Sequence, residues 1–203
     1  MKKTLLIIFL VLEWCICFSQ TKQGLDDLKQ LKQELSMAPQ DTSRVKIMVT
    51  LCNFYREFNQ DSSVMFGNKA LALAQRINFP EGEANALNEL GLSFRILGDM
   101  PKSLELQYQG LQIAESNKLP LLTAKCLRGI GVVYLELKDY TKAISYFQRG
   151  KLINKTIQHT RGAAASEVLL DFNIGISYMR KNQLDSSLLY LQNLYGFSCF
   201  LFN

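Results

Sequence analysis

Residues 124–153 read AKCLRGIGVVYLELKDYTKAISYFQRGKLI. Slid back until Ala124 meets Ala84, this stretch lies on residues 84–113. Ala84, Leu87, Leu90, Gly91 and Phe94 fall on Ala124, Leu127, Ile130, Gly131 and Tyr134. Asp99, Ser103, Leu104, Gly110 and Ile113 fall on Asp139, Ala143, Ile144, Gly150 and Ile153, and Pro80 falls on Pro120. A third copy follows with Ile174, Gly175, Tyr178, Leu184, Ser187 and Leu188. A degenerate copy precedes them: Ala70, Leu71, Leu73 and Ala74 match Gly110, Leu111, Ile113 and Ala114. Self-similarity at a long fixed period is the signature of a repeat architecture.

Each copy predicts two helices. Apolar residues at 87, 90, 94 and 97 keep the i, i+3, i+4, i+7 spacing of one helical face. Gly98-Asp99 breaks that helix, and Asp99 or Met100 caps a second one with Pro101 in its first turn. Asn117 to Leu119 ends the second helix, and Pro120 opens the next pair. No sustained period-2 run is present, so strands are not expected. The prediction is an all-α chain, an α-solenoid of antiparallel helix pairs.

Glycine inside a helix costs about 0.8–1 kcal/mol relative to alanine. Gly91, Gly131 and Gly175 nevertheless recur in one register. A close helix–helix approach accounts for this, with Ser103, Ala143 and Ser187, equally displaced in each copy, as the facing surface. Phe94, Tyr134 and Tyr178 are expected to fill the volume between successive pairs.

The pattern Leu-Gly-x-x-Phe/Tyr, then Gly/Lys-Asp-Met/Tyr, then Ser/Ala and Phe147 resembles the tetratricopeptide repeat. The likeness covers roughly Thr42 to Leu194. Its departures are a spacing of 40 and 44 rather than 34, prolines displaced to Pro80 and Pro120, and Gln107 in place of the aromatic supplied by Phe147. The expected division is a leader at 1–20, a capping helix and link at 21–40, repeats at 41–79, 80–119, 120–160 and 161–194, and a tail at 195–203.

Gly24 to Met37 carries Leu25, Leu28, Leu31 and Leu35 on one face. A capping helix over the first repeat is the favoured reading, because solenoid ends need covers. A coiled-coil dimer is the alternative, but two heptads are short. The tail Tyr195 to Asn203 has no charge and four aromatic residues. It is expected to pack as a makeshift cap, bind a partner, or mark a chain cut short relative to a longer parent, the last being preferred.

The chain begins with Met1-Lys2-Lys3-Thr4, an apolar run from Leu5, and Ser19-Gln20 at a polar junction. That is the pattern of a secretory signal peptide, cut beside Ser19 or Gln20. The run is interrupted by Glu13 and is short of the roughly 20 residues a spanning helix needs. Neither Cys15 nor Cys17 follows the small residues that lipidation requires. The expected location is a bacterial periplasm or envelope. Any membrane association would run through an uncleaved leader or a segment beyond residue 203. Cys52, Cys126 and Cys199 remain, an odd number that makes no complete disulfide framework. Cys52 and Cys126 sit among apolar helical residues and read as small buried hydrophobes.

Little chemistry is visible. His159, the only histidine, sits in a link between repeats. No CxxC or zinc spacing, G-x-S-x-G, P-loop or H-E-x-x-H pattern occurs. Asp26-Asp27 reads as a solvated face, and Asn154-Lys155-Thr156 as a sequon a bacterial envelope protein does not normally use. No cofactor, metal or catalytic residue is assigned. The net charge is +5, from 23 Lys+Arg and 18 Asp+Glu, with 48% hydrophobic residues. Lys151, Lys155 and Arg161 are scattered without aromatic interleaving, which argues against nucleic acid.

Binding remains. Lys46, Asn53, Arg56, Asn85, Asn88, Arg95, Lys125 and Arg128 point away from the packing stripe of the first helices. The set is rich in donors and mostly positive, suited to an extended peptide with acidic side chains or a free carboxylate. In the last repeat the corresponding positions are Leu169, Phe172 and Ile176. The family's carboxylate-clamp pattern is not reproduced in register, which counts against a chaperone-tail adaptor. The leader and the array, entered through Asp41-Thr42-Ser43-Arg44-Val45, resemble the exported amino-terminal region of tetratricopeptide sensor histidine kinases of Bacteroidetes-like bacteria. That implies a non-catalytic interaction scaffold or sensory input module. A free-standing periplasmic adaptor is the alternative, and an enzyme with an unrecognised site the remote one. The partner is a protein or peptide, and the sequence does not fix the oligomeric state.

Overall fold

The computed structural model describes residues 24–157 and 161–201, with backbone alone at 161 and 193–201. The expected leader with Cys15 and Cys17, His159, and the side chains of the tail with Cys199 lie outside the described residues. The described chain is all helix: α1 (24–37), α2 (Thr42–Tyr55), α3 (Gln60–Arg76), α4 (Pro80–Ile96), α5 (Met100–Ser116), α6 (Pro120–Glu136), α7 (Tyr140–Lys155), α8 (Arg161–Arg180) and α9 (Leu184–Leu201). Pairs α2–α3, α4–α5, α6–α7 and α8–α9 stack in chain order. The predicted all-α solenoid is the observed architecture. The last helix begins at Leu184 and runs through 195–201, which the sequence reading set apart as tail.

The turns explain the period of the repeat. Asn78, Gly98, Lys118, Lys138 and Asn182 all take positive φ, between 51° and 82°. In each case the next residue's N–H donates to the fifth carbonyl back, as in Phe79 to Ala74, Asp99 to Phe94 and Asp139 to Tyr134, each at 2.9 Å. This left-handed C-terminal stop satisfies the helix's last carbonyls. The first four stops are evenly spaced along the chain, so one repeat is two helical units of equal length. The next helix then starts on a cap. Asp99 Oδ1 accepts from the Lys102 N–H at 3.0 Å, and Asp139 Oδ1 from the Lys142 N–H at 3.1 Å. Where the cap is Phe79 or Leu119, Pro80 or Pro120 occupies the first turn, where its missing N–H costs nothing.

The recurring glycines do bring helices together. Ser103 Oγ donates to the Gly91 carbonyl at 2.7 Å, and Ser187 Oγ to that of Gly175 at 2.8 Å. The glycine also makes room for a side chain one turn beyond the small residue. A Cβ on Gly131 would run into the Phe147 ring, and one on Gly91 or Gly175 would lie 2.8 Å from Gln107 or Leu191. Gln107 is fully buried, and Gly129 yields to it from the next pair.

The rings of the stripe pack within their own pair as well as between pairs, Tyr134 also lying on the cluster of Phe147, Leu170 and Ile174 that joins α7 to α8. Tyr134 stacks on Tyr146 at 5.5 Å and Tyr178 on Tyr190 at 5.7 Å, each within its own pair. The facing position on the second helix is aromatic in both pairs, so the rings meet across the hairpin. Phe94, whose counterpart at that position is Leu106, joins a cluster with Leu87, Leu90 and Leu106 that also reaches Val64 and Leu71 of α3.

Helix α1 closes the amino-terminal end. Leu35 packs on the cluster of Val45, Met48, Val49 and Ala70. Arg44 Nη1 donates to the carbonyls of Leu35 and Ala38 at 3.1 and 2.7 Å, tying down the helix end. Leu25 stays exposed, so the cover is partial.

Cys52 and Cys126 are fully buried free thiols, packed as small core hydrophobes. Burial pushes both thiols up, Cys126 to about 12. Since the thiolate is the nucleophile, neither should take up iodoacetamide at pH 8 in the folded chain, and both should in denaturant. Mass spectrometry, cysteine by cysteine, checks this. Labelling of Cys126 at the unfolded-chain rate would contradict the burial.

Candidate peptide groove

Successive first helices α2, α4, α6 and α8 touch one another, whereas successive second helices make no such contact among the described residues. The pairs therefore fan, with the first helices on the tight inner curve. The residues expected to line a groove lie on that layer, but the structure sorts them into three groups.

The first group surrounds a residue the sequence reading missed, Glu89. Its carboxylate takes an ion pair from Arg56 at 2.6 Å and hydrogen bonds from Asn53 Nδ2 at 3.0 Å and Asn88 Nδ2 at 3.1 Å. Asn88 is 1% exposed and forms the floor beneath the groove surface. Its backbone carbonyl accepts from Gln107 Nε2 at 3.1 Å, and its Oδ1 has no partner among the described residues. The sequence held one signal for Glu89. Asn88-Glu89 is the single pair of adjacent polar side chains between Ala84 and Ser93.

Arg95 forms the second group, reaching Glu136 of α6, while its Nε is buried with no partner among the described residues. Ion pairs thus bridge α2 to α4 and α4 to α6, and Lys151 of α7 pairs with Asp171 of α8. The groove is consequently less positive than the sequence reading expects, because Arg56 and Arg95 already hold carboxylates.

The third group faces outward. Arg128 is half-buried and, among the described residues, has neither a hydrogen bond nor an ion pair, the guanidiniums of Arg56 and Arg95 having taken the nearby carboxylates. Burial lowers its pKa from the usual guanidinium value, and Arg56 and Arg95 lower it further against the pull of Glu89. Asn85 and Lys125 line a cavity of about 330 Å³ with Lys118, Leu121 and Ile157. Lys46 is exposed, with its ammonium 5.8 Å from the Phe79 ring centroid. A larger cavity, about 470 Å³, is lined by Gln40, Arg44, Met48, Lys69, Leu73 and Arg76 and includes none of these residues.

The sequon asparagine is not available for modification in the folded chain. Asn154 is 2% exposed, and its amide faces the Ala163 carbonyl at 3.4 Å. Asp26 and Asp27 are exposed. Among the described residues no group of three or more His, Cys, Asp and Glu is placed to hold a metal. No helix among them is long and apolar enough to cross a membrane.

Stacked helical pairs with an inner layer of first helices form a tetratricopeptide-like α-solenoid. Residues 82–150 match the tetratricopeptide repeat family. The sequence matches no curated protein. Among solved structures, BtubC (BKLC) from P. vanneervenii superposes with a TM-score of 0.68 at 15% identity, covering 90% of this chain and 76% of that one. The apo form of RapI gives 0.67 at 16%, covering 86% and 64%. Aspartyl phosphate phosphatase F from Bacillus subtilis gives 0.72 at 15%, covering 89% and 50%. The chain thus spans under two thirds of the last two proteins, and at such identities the likeness is one of fold.

Proposed function

We propose that this chain is a non-catalytic protein-interaction scaffold or sensory input module of the bacterial envelope, holding an extended peptide or protein segment along the inner face of its first helices. Solenoids of stacked pairs present extended concave surfaces for this purpose. The observation that carries the reading is Arg128, a half-buried guanidinium on that face with no hydrogen bond or ion pair of its own among the described residues. A ligand carboxylate supplies what the fold withholds. The amino-terminal leader pattern supports export, and the likeness to exported sensor-kinase input regions supports a sensory role. A free-standing periplasmic adaptor would use the same groove.

The test is a peptide array probed with the full chain. Bound peptides should be lost on replacing Arg95 and Arg128 together with glutamine. They should persist when Lys102, on second helix α5, is replaced. Retention of every peptide by the double variant, with unchanged helical content, would move the site off the groove. Cell fractionation with mass measurement should show a chain cleaved beside Ser19 or Gln20; an uncleaved cytoplasmic chain would contradict the envelope assignment.

A further inference from the structure

Aligned by the repeat, the groove positions form columns that run across the first helices. One column holds Asn85, Lys125 and Leu169, the next Asn88, Arg128 and Phe172, and a third Arg95, Leu135 and Met179. All three columns end apolar on α8. Leu169, Phe172 and Met179 are 45–46% exposed there. Ile176 is half-buried between them and borders a cavity of about 300 Å³ with Leu135, Glu136, Tyr140 and Arg180. On the preceding helices the same layer carries charge, with three guanidiniums (Arg56, Arg95, Arg128) against two carboxylates (Glu89, Glu136). The surface therefore changes character across a single helix spacing, from charged side chains to exposed aliphatic and aromatic ones. A contiguous apolar stripe of this kind on an otherwise polar face marks an interaction site.

Neighbouring helix axes lie roughly 8–10 Å apart, and an extended chain rises about 3.3 Å per residue. We infer that the groove selects an extended segment in which a carboxylate lies about three residues from a bulky apolar side chain, the carboxylate meeting Arg128 and the apolar group meeting Phe172 and Ile176. This rests on the groove reading above and adds the chemistry and register of what is held. Neither half suffices: a purely acidic segment meets the Glu89 and Glu136 carboxylates beyond Arg128, and a purely apolar one leaves the guanidinium desolvated without a partner.

The test uses octapeptides that carry Asp three positions before or after Leu, with matched peptides in which Asn replaces Asp or Ser replaces Leu. With the full chain, each replacement should weaken binding on the order of tenfold, the effect of losing a charged hydrogen bond or a buried aliphatic side chain. The Arg128→Gln variant should bind Asp and Asn peptides alike while still preferring Leu over Ser. The Phe172→Ser variant should do the reverse. Phe172 is exposed, and the half-buried Arg128 makes no ion pair among the described residues, so the fold should survive, as circular dichroism would verify. Capture that depends on the groove but shows neither preference would overturn this register and leave the groove reading standing. Absence of any groove-dependent capture would sink both. A preference for Asp that survives Arg128→Gln would assign the carboxylate to another cation and refute the pairing claimed here.

Discussion

Phe147→Ala should destabilise the chain by about 3–5 kcal/mol, the range for removing a buried aromatic from a core. The ring has no exposed surface and packs with Ala143, Leu170 and Ile174, joining α7 to α8. In a solenoid each pair contacts only its neighbours, so damage at one interface is not shared by the whole array. The loss should therefore appear as early opening of α8–α9. Hydrogen exchange should show the amides around Leu170 and Ile174 losing protection while those around Leu90 keep theirs. Uniform loss along the chain would mean the array unfolds as one cooperative unit.

Gly131 sharpens this expectation. In the native chain Gly131→Ala drives a methyl against the Phe147 ring, with Cδ1 at 2.6 Å and Cε1 closer still. Overpacking of this kind costs about 1–3 kcal/mol. In the Phe147→Ala background the ring is gone and the methyl enters the vacated space. The same substitution should then stabilise by about 1 kcal/mol, from helix propensity and refilling. A change of sign between backgrounds, read from chemical denaturation of the four chains, would establish that the glycine serves the ring. Equal effects in both would mean that it serves another need.

This pairing shows what the sequence makes legible. A glycine recurring inside an apolar helical stripe is costly unless a neighbour comes close, so Gly91, Gly131 and Gly175 disclose the hairpin contact, and the small residue that recurs after each discloses its other side. The serine hydroxyls on the Gly91 and Gly175 carbonyls are that contact realised. The left-handed stop is legible at Gly98 but not at Lys118 or Lys138, where the repeat's geometry imposes positive φ on residues with no preference for it. Counterions are the least legible. Arg56 meets Glu89 and Arg95 meets Glu136, each on the next first helix, and neither spacing along the chain obeys a local rule. Periodicity identifies which face a side chain takes. It does not say whether the next helix brings a carboxylate to that side chain, which is why the groove reads as more positive in sequence than in space. Nor does it distinguish a floor residue such as Asn88 from a rim residue such as Arg128, its counterpart in the following repeat.

Glu89→Gln is the second large effect, and it tests that hidden electrostatics. The Glu89 side chain is 10% exposed and holds Arg56, 17% exposed, together with two asparagine amides. Removing one partner of a buried pair costs about 3–5 kcal/mol, because the survivor keeps its desolvation without compensation. Glutamine preserves the shape and one acceptor, so the lower end, about 3 kcal/mol, is expected. Here the charge removed also screens guanidiniums from one another, since Arg56 and Arg95 both act unfavourably on Arg128 and Glu89 favourably. Without Glu89, Arg128 becomes a source of repulsion. Arg128→Met should therefore be close to neutral in the native chain, where the attraction of Glu89 and the repulsion of Arg56 and Arg95 oppose each other, and should stabilise the Glu89→Gln variant by about 1 kcal/mol, within the range of coupling between neighbouring sites. Raising the salt concentration should shrink that gain, since screening weakens the repulsion it removes. If Arg128→Met instead deepens the loss in the Glu89→Gln chain, the three guanidiniums do not share that carboxylate, and Arg128 would hold its place by packing its alkyl stem rather than by charge.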